Sequence, residues 1–108
     1  MQRFFDVLAR LSETIESRRG ADPQSSWTAK LLADPALCAK KVGEEAVETA
    51  LSAMAGDRLR IAEEAADLTY HLLVLLEATG TPLAAVLDVL ASRAGIGGLE
   101  VKAGRKKV

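Results

Sequence analysis

The sequence predicts an all-α helical bundle, built on an antiparallel central helix hairpin and completed by homodimerisation. Three observations carry this. Ala and Leu dominate while aromatics are only 4% of the 108 residues, a balance that favours helix over strand. No segment alternates with the two-residue period of a strand. Helix-stop glycines and Asp, Ser or Thr-Pro start signals recur along the chain. The length suggests one domain, residues 1–108, with a modest core that an all-helical chain often completes by pairing.

The elements follow in order. Phe4, Leu8, Leu11 and Ile15 recur at steps of four, three and four, one face of a helix over about residues 2–19. Gly20 is its stop, and the following stretch to Ser25 contains Asp-Pro and reads as a loop. Ser26 caps a short helix over 27–33. Asp34-Pro35 starts the next, with Asp at the N-cap and Pro in the first turn, and Gly56 ends it. Asp57 caps a fourth helix that stops before Gly80. Thr81-Pro82 starts a fifth, to about Ala94. The remainder, 95–108, is read as an irregular tail, with four cationic side chains among its last seven residues. The third and fourth helices are joined only by Gly56-Asp57, which predicts the hairpin.

Composition narrows the function classes. Hydrophobic residues are 49%, charged residues 27% and the formal net charge is −1, so the chain reads as globular, with no basic field for a nucleic-acid partner. The apolar run 72–76 is far too short to span a bilayer, and the first residues show no signal-peptide pattern. Cys38, the only cysteine, cannot form an internal disulfide. The simplest compartment is the cytoplasm.

Seven of the fifteen acidic residues lie between Glu44 and Asp67. Glu44, Glu45 and Glu48 share one side of a helix: at roughly 100° per residue, Glu48 stands about 40° from Glu44, and Glu45 about 60° beyond it. Val42, Ala46, Ala50 and Met54 take the opposite side. On the next helix Glu64 and Asp67 lie one turn apart, with Arg60 and His71 on the same stripe and apolar residues around most of the rest. A hairpin can bring the two acidic stripes face to face, where carboxylates would take up protons or disrupt packing unless compensated. A divalent cation resolves this. All-oxygen ligation suits Mg²⁺ or Mn²⁺, and Mg²⁺ commonly bridges to substrate phosphates. One such cluster alone is ordinarily a solvated face; the second, on a helix apolar around most sides, favours a metal cage.

Other groups are weighed beside it. Lys30, Lys40 and Lys41 can bind phosphates, although a single lysine is more often merely solvating. Trp27 can stack on a base, against the commoner reading of a core residue. His71 follows Asp67 by one turn and reads as an orienting residue. Gly43, within a helical pattern, suggests a close helix approach or a ligand near the backbone.

Ser26-Trp27-Thr28-Ala29-Lys30-Leu31-Leu32, KKVGEEAVE at 40–48 and EEAADLTYHLLVLL at 63–76 resemble the phosphoribosyl-ATP pyrophosphatase family, among the MazG-like all-α nucleotide pyrophosphatases. The superfamily signature E-E-x-x-E followed by E-x-x-D falls on Glu44, Glu45, Glu48, Glu64 and Asp67. The resemblance covers nearly the whole chain, including Arg93 and the tail GGLEVKAGRK. It implies hydrolysis of phosphoribosyl-ATP to phosphoribosyl-AMP and pyrophosphate, the second step of histidine biosynthesis. It also implies Mg²⁺ dependence and homodimers. The five signature carboxylates become the expected metal ligands, with Glu45 and Glu48 the catalytic pair. Trp27, Lys30, Lys40 and Lys41 become the expected substrate contacts. Trp27 stands where tyrosine is commoner, and Val101 interrupts a tail that is often more acidic.

Three other readings remain at this stage. One is a house-cleaning nucleoside triphosphate pyrophosphatase with the same cage. Another is a non-catalytic dimerisation module with an acidic docking face. The third, a carboxylate-bridged di-iron bundle, wants Glu-x-x-His on two helices, whereas three residues after Glu64 stands Asp67.

Overall fold

A computed structural model describes residues 2–94, with side chains from residue 6 onward. The helices are α1 (Gln2–Ser17), α2 (Trp27–Ala33), α3 (Pro35–Ala55), α4 (Arg58–Ala78) and α5 (Leu83–Arg93). Among the described residues there is no strand, as the sequence predicts. The predicted tail lies outside the described residues, as does the side chain of Phe4.

Local chemistry sets the helix ends. Ser26 accepts a hydrogen bond from the Ala29 N–H at 3.1 Å, Asp34 from Leu37 at 3.2 Å and Asp57 from Arg60 at 3.1 Å. Each satisfies a donor that the first helical turn leaves free. Gly56 closes α3 at φ 72°, a left-handed conformation that only glycine adopts without steric cost. α1 stops two residues earlier than the periodicity suggests. The N–H groups of Arg18 and Arg19 bond carbonyls three residues back, at Ile15 and Glu16, which tightens the last turn. Arg19 then reaches across to Glu77 at 2.9 Å, tying the end of α1 to α4.

The short turn at Gly56-Asp57 fixes the hairpin register. Near the turn the Asp57 N–H meets the Ser52 carbonyl at 3.4 Å. At the far end the Cys38 thiol donates to the His71 carbonyl at 3.5 Å. Between them Glu45 lies opposite Glu64. The buried residues of α3 are Cys38, Glu45 and Ser52, a seven-residue spacing that makes one seam along α4. The acidic side of α3 therefore packs on α4. On the opposite side Ala46, Ala50 and Met54 are exposed and Val42 is half-buried.

The apolar core occupies the Cys38–Val74 end of the hairpin. Ile15 of α1, Leu31 of α2, Cys38 of α3 and Leu73 and Val74 of α4 meet there, flanked by Leu8, Leu11, Leu37, Tyr70 and Leu83. The other end of the seam carries the carboxylates. On the hairpin itself Val47, Leu51 and Met54 of α3 and Leu59 of α4 are exposed, and α5 has no buried residue.

Candidate active site

The register brings Glu45 and Glu48 of α3 against Glu64 of α4, with one carboxylate oxygen of each within 4.8 Å of the others. Glu45 is only 7% exposed, Glu64 is half-buried and Glu48 is exposed. The trio thus forms a cleft buried at its base and open at its lip.

The electrostatics of the cleft are unbalanced. Glu45 Oε2 is buried with no hydrogen-bond partner, an arrangement that costs free energy unless something charged or polar meets it. Hydrogen bonding to Glu48, burial, and repulsion from Glu48 and Glu45 push the Glu64 carboxyl above the usual carboxylate range. Lys41 gives partial relief: its ammonium lies 3.4 Å from Glu44 and 3.6 Å from Glu45. Hydrogen bonding to Glu44 and the charges of Glu44 and Glu45 outweigh desolvation and raise the Lys41 pKa. Arg60 approaches Glu64 at 3.9 Å from the solvent side. The orphaned oxygen, the raised Glu64 pKa and an all-carboxylate donor set fit a hard, oxygen-ligated cation.

Of the five carboxylates singled out in the sequence, the structure gathers these three. Glu44 points to Lys41 and to Lys40, 3.9 Å away, and stands at the rim. Asp67 is exposed one turn beyond Glu64. Gly43 is exposed, and a Cβ built on it meets nothing within 4 Å. Among the described residues no helix approaches it closely, so of the two sequence expectations for Gly43 the close helix approach is not met within the protomer.

Two shallow hollows flank the trio. One of about 260 Å³ is bordered by Glu48, Ser52, Asp57 and Arg60. The other, about 400 Å³, lies between Asp57, Arg60, Glu63 and Glu64. Arg60 borders both, so it stands as a cation at the mouth of the cleft. The sequence places it on the acidic stripe without a role; its i,i+4 spacing to Glu64 is the signal that could have assigned one.

A second group forms where α2 crosses α4. Two consecutive α2 residues meet two consecutive α4 residues: the Trp27 indole N–H donates to His71 Nε2 at 3.4 Å, and the Thr28 hydroxyl hydrogen-bonds the Tyr70 hydroxyl. Lys30 holds its ammonium 5.7 Å above the indole ring. Trp27 and Lys30 line a hollow of about 570 Å³ with Pro23, Gln24, Ser25 and Ser26. Trp27 is 43% exposed, so it is not the core residue that a sole tryptophan commonly is. The Thr28–Tyr70 contact has no signature in the sequence, because its partners are 42 residues apart.

A helical hairpin with converging carboxylates, rimmed by lysines and arginine, is the frame of an all-α hydrolase that handles charged phosphates. Comparison with known proteins agrees. The family described as phosphoribosyl-ATP pyrophosphohydrolase matches residues 8–94. The chain is 59% identical to the phosphoribosyl-ATP pyrophosphatase of Cereibacter sphaeroides, over 92% of this chain and 97% of that one. It is 57% identical to the protein of the same name from a Caulobacter species, over 97% of this chain and 98% of that one. The corresponding protein of Dinoroseobacter shibae is 58% identical over 92% and 98%. The chain belongs to the phosphoribosyl-ATP pyrophosphohydrolase family.

Proposed function

We propose that this chain hydrolyses the α–β phosphoanhydride of phosphoribosyl-ATP, releasing phosphoribosyl-AMP and pyrophosphate in the second step of histidine biosynthesis, in the cytoplasm and as a homodimer. The observation that carries the chemistry is the trio Glu45, Glu48 and Glu64, with its buried, unpartnered oxygen. Family membership supports the substrate.

Glu45, Glu48 and Glu64 would hold Mg²⁺, or Mn²⁺ in its place, with Glu44 and Asp67 joining from the rim. The cation would supply Lewis acidity toward a phosphoryl oxygen and stabilise charge on the departing pyrophosphate. The remaining steps belong to the chain. Glu48, at the open lip, orients water toward the phosphoanhydride and accepts its proton, while Glu45, buried beneath, holds its neighbours in place. Lys40 and Lys41 exchange Glu44 for substrate phosphates, and Arg60 steadies the leaving group at the flanking hollows. Trp27 and Lys30 receive the base and ribosyl end in the hollow beside α2, with His71 as an orienting group.

The test is pyrophosphate release from phosphoribosyl-ATP with and without Mg²⁺. Turnover requires Mg²⁺, and Glu48→Gln lowers kcat by about 10²-fold or more with the helical far-UV signal retained. Turnover of common nucleoside triphosphates but not of phosphoribosyl-ATP would keep the cleft and discard the substrate.

A further inference from the structure

The geometry points to His71 as a positioning residue that locks the Trp27 indole in place, so that Trp27 meets substrate with its ring face and not with its N–H. This rests on the reading of Trp27 as a substrate contact given above.

The hydrogen bonds define the arrangement. His71 Nδ1 lies 2.7 Å from the carbonyl oxygen of Asp67, one turn back on α4. A carbonyl only accepts, so Nδ1 carries the ring proton. Nε2 then presents its lone pair, and the Trp27 Nε1–H donates to it at 3.4 Å. Both ring nitrogens are thereby engaged within the protein, and His71 as a residue is only 6% exposed. His71 is thus built to hold a neighbour. The indole stands edge-on to the imidazole, at 6.4 Å between centroids and 76° between planes. Tyr70 packs edge-on from another direction at 4.9 Å and 82°. The backbone of the same residue accepts the Cys38 thiol, so α2, α3 and α4 are fastened at one point.

The consequence concerns recognition. With its sole donor occupied, the indole offers a ligand only its π faces and apolar edge. It therefore suits a flat heteroaromatic ring held by stacking, with Lys30 free to leave the indole for a phosphate. The latch also ties this platform to the α4 turn that carries Asp67. Its orientation relative to the carboxylates is then set before substrate arrives, an arrangement that lowers the ordering cost of binding.

Side-chain isosteres test it. In His71→Asn the amide N–H₂ stands near Nδ1 and keeps the bond to Asp67, but nothing accepts from the indole. In His71→Gln the amide oxygen stands near Nε2 and can accept from it. The sole tryptophan gives a readout without substrate. The latch requires loss of the near-UV circular dichroism band of Trp27 in His71→Asn and its retention in His71→Gln. With substrate, KM for phosphoribosyl-ATP rises about 3–10-fold in His71→Asn, the effect of one lost hydrogen bond, while kcat changes by less than about twofold. His71→Gln returns KM toward the parent value. Trp27→Phe reproduces the KM rise, and adding His71→Asn to it raises KM no further. A fall in kcat at unchanged KM would place His71 in the chemistry and overturn the proposal. So would a dichroism band that survives in His71→Asn, or that both variants lose equally. If the parent does not turn over phosphoribosyl-ATP, the proposed function fails, and the dichroism pair still decides the latch.

Discussion

Glu64 is pressed between Glu48 and Glu45, and its proton affinity reports that pressure. Its carboxyl is held above the usual range in the folded chain, by hydrogen bonding to Glu48, burial and the neighbouring charges. The folded state therefore binds this proton more tightly than the unfolded state does. The stability linked to that proton is complete below the ordinary glutamate range and is lost as pH rises through the raised value. Above the raised value the metal-free parent has lost it, whereas Glu64→Gln, which cannot ionise, keeps it. In a chelating buffer Glu64→Gln thus melts above the parent at alkaline pH, and the gap closes on acidification to about pH 4, near the ordinary carboxylate value. Mg²⁺ reverses the order by stabilising the parent and not the variant. Thermal melts at the two pH values, with and without the ion, check this. Equal melting temperatures in chelator at alkaline pH would show that the three carboxylates do not strain one another.

Gly43 lies in the interior of α3 and seven residues before Ala50, yet the space where its Cβ would point is open. Helix propensity then governs the site, and Gly43→Ala stabilises the fold by about 0.5–1 kcal/mol. A urea melt shows this as a higher midpoint at unchanged slope. A lower midpoint would mean that the bare backbone is needed against a neighbouring surface. At this scale the sequence is highly legible. Ser26, Asp34 and Asp57 announce helix starts because a capping side chain bonds within its own turn. The facing of the two acidic stripes is legible for a related reason: a two-residue connection leaves the hairpin little freedom of register. Less legible is which carboxylates converge. Five lie on the two stripes, and whether Glu44 or Glu45 turns inward depends on a rotation of α3 that packing against α4 decides. Least legible are the Trp27–His71 and Thr28–Tyr70 pairs, whose partners are 44 and 42 residues apart and meet only once α2 has docked.

The distribution of apolar surface over the molecule argues for a second copy. Turning the acidic side of α3 onto α4 leaves Val47, Leu51 and Met54 outward at helical steps of four and three, with Met54 85% exposed. Leu59 at the start of α4 and Leu87 and Leu90 on α5 are exposed as well, and α5 buries none of its residues. Among the described residues the buried apolar set is six side chains, all toward one end of the hairpin. A chain this short gains from more burial than that, and the unpaired faces are where the proposed homodimer would supply it. Membrane insertion is a weaker account of the same surface, since no single helix among the described residues is long and apolar enough to cross. The homodimer reading makes two linked demands. The parent sediments at twice the chain mass of 11.5 kDa, and its melting temperature rises with concentration, because association and folding are coupled. Val47→Glu combined with Met54→Glu places two charges in the proposed interface and abolishes both behaviours, leaving a monomer with a lower, concentration-independent melt. Neither residue belongs to the carboxylate trio or borders the hollows beside it, so any loss of turnover in that variant measures how far the cleft depends on the partner. A parent that stays monomeric at high concentration would leave the outer face of α3 to some other occupant.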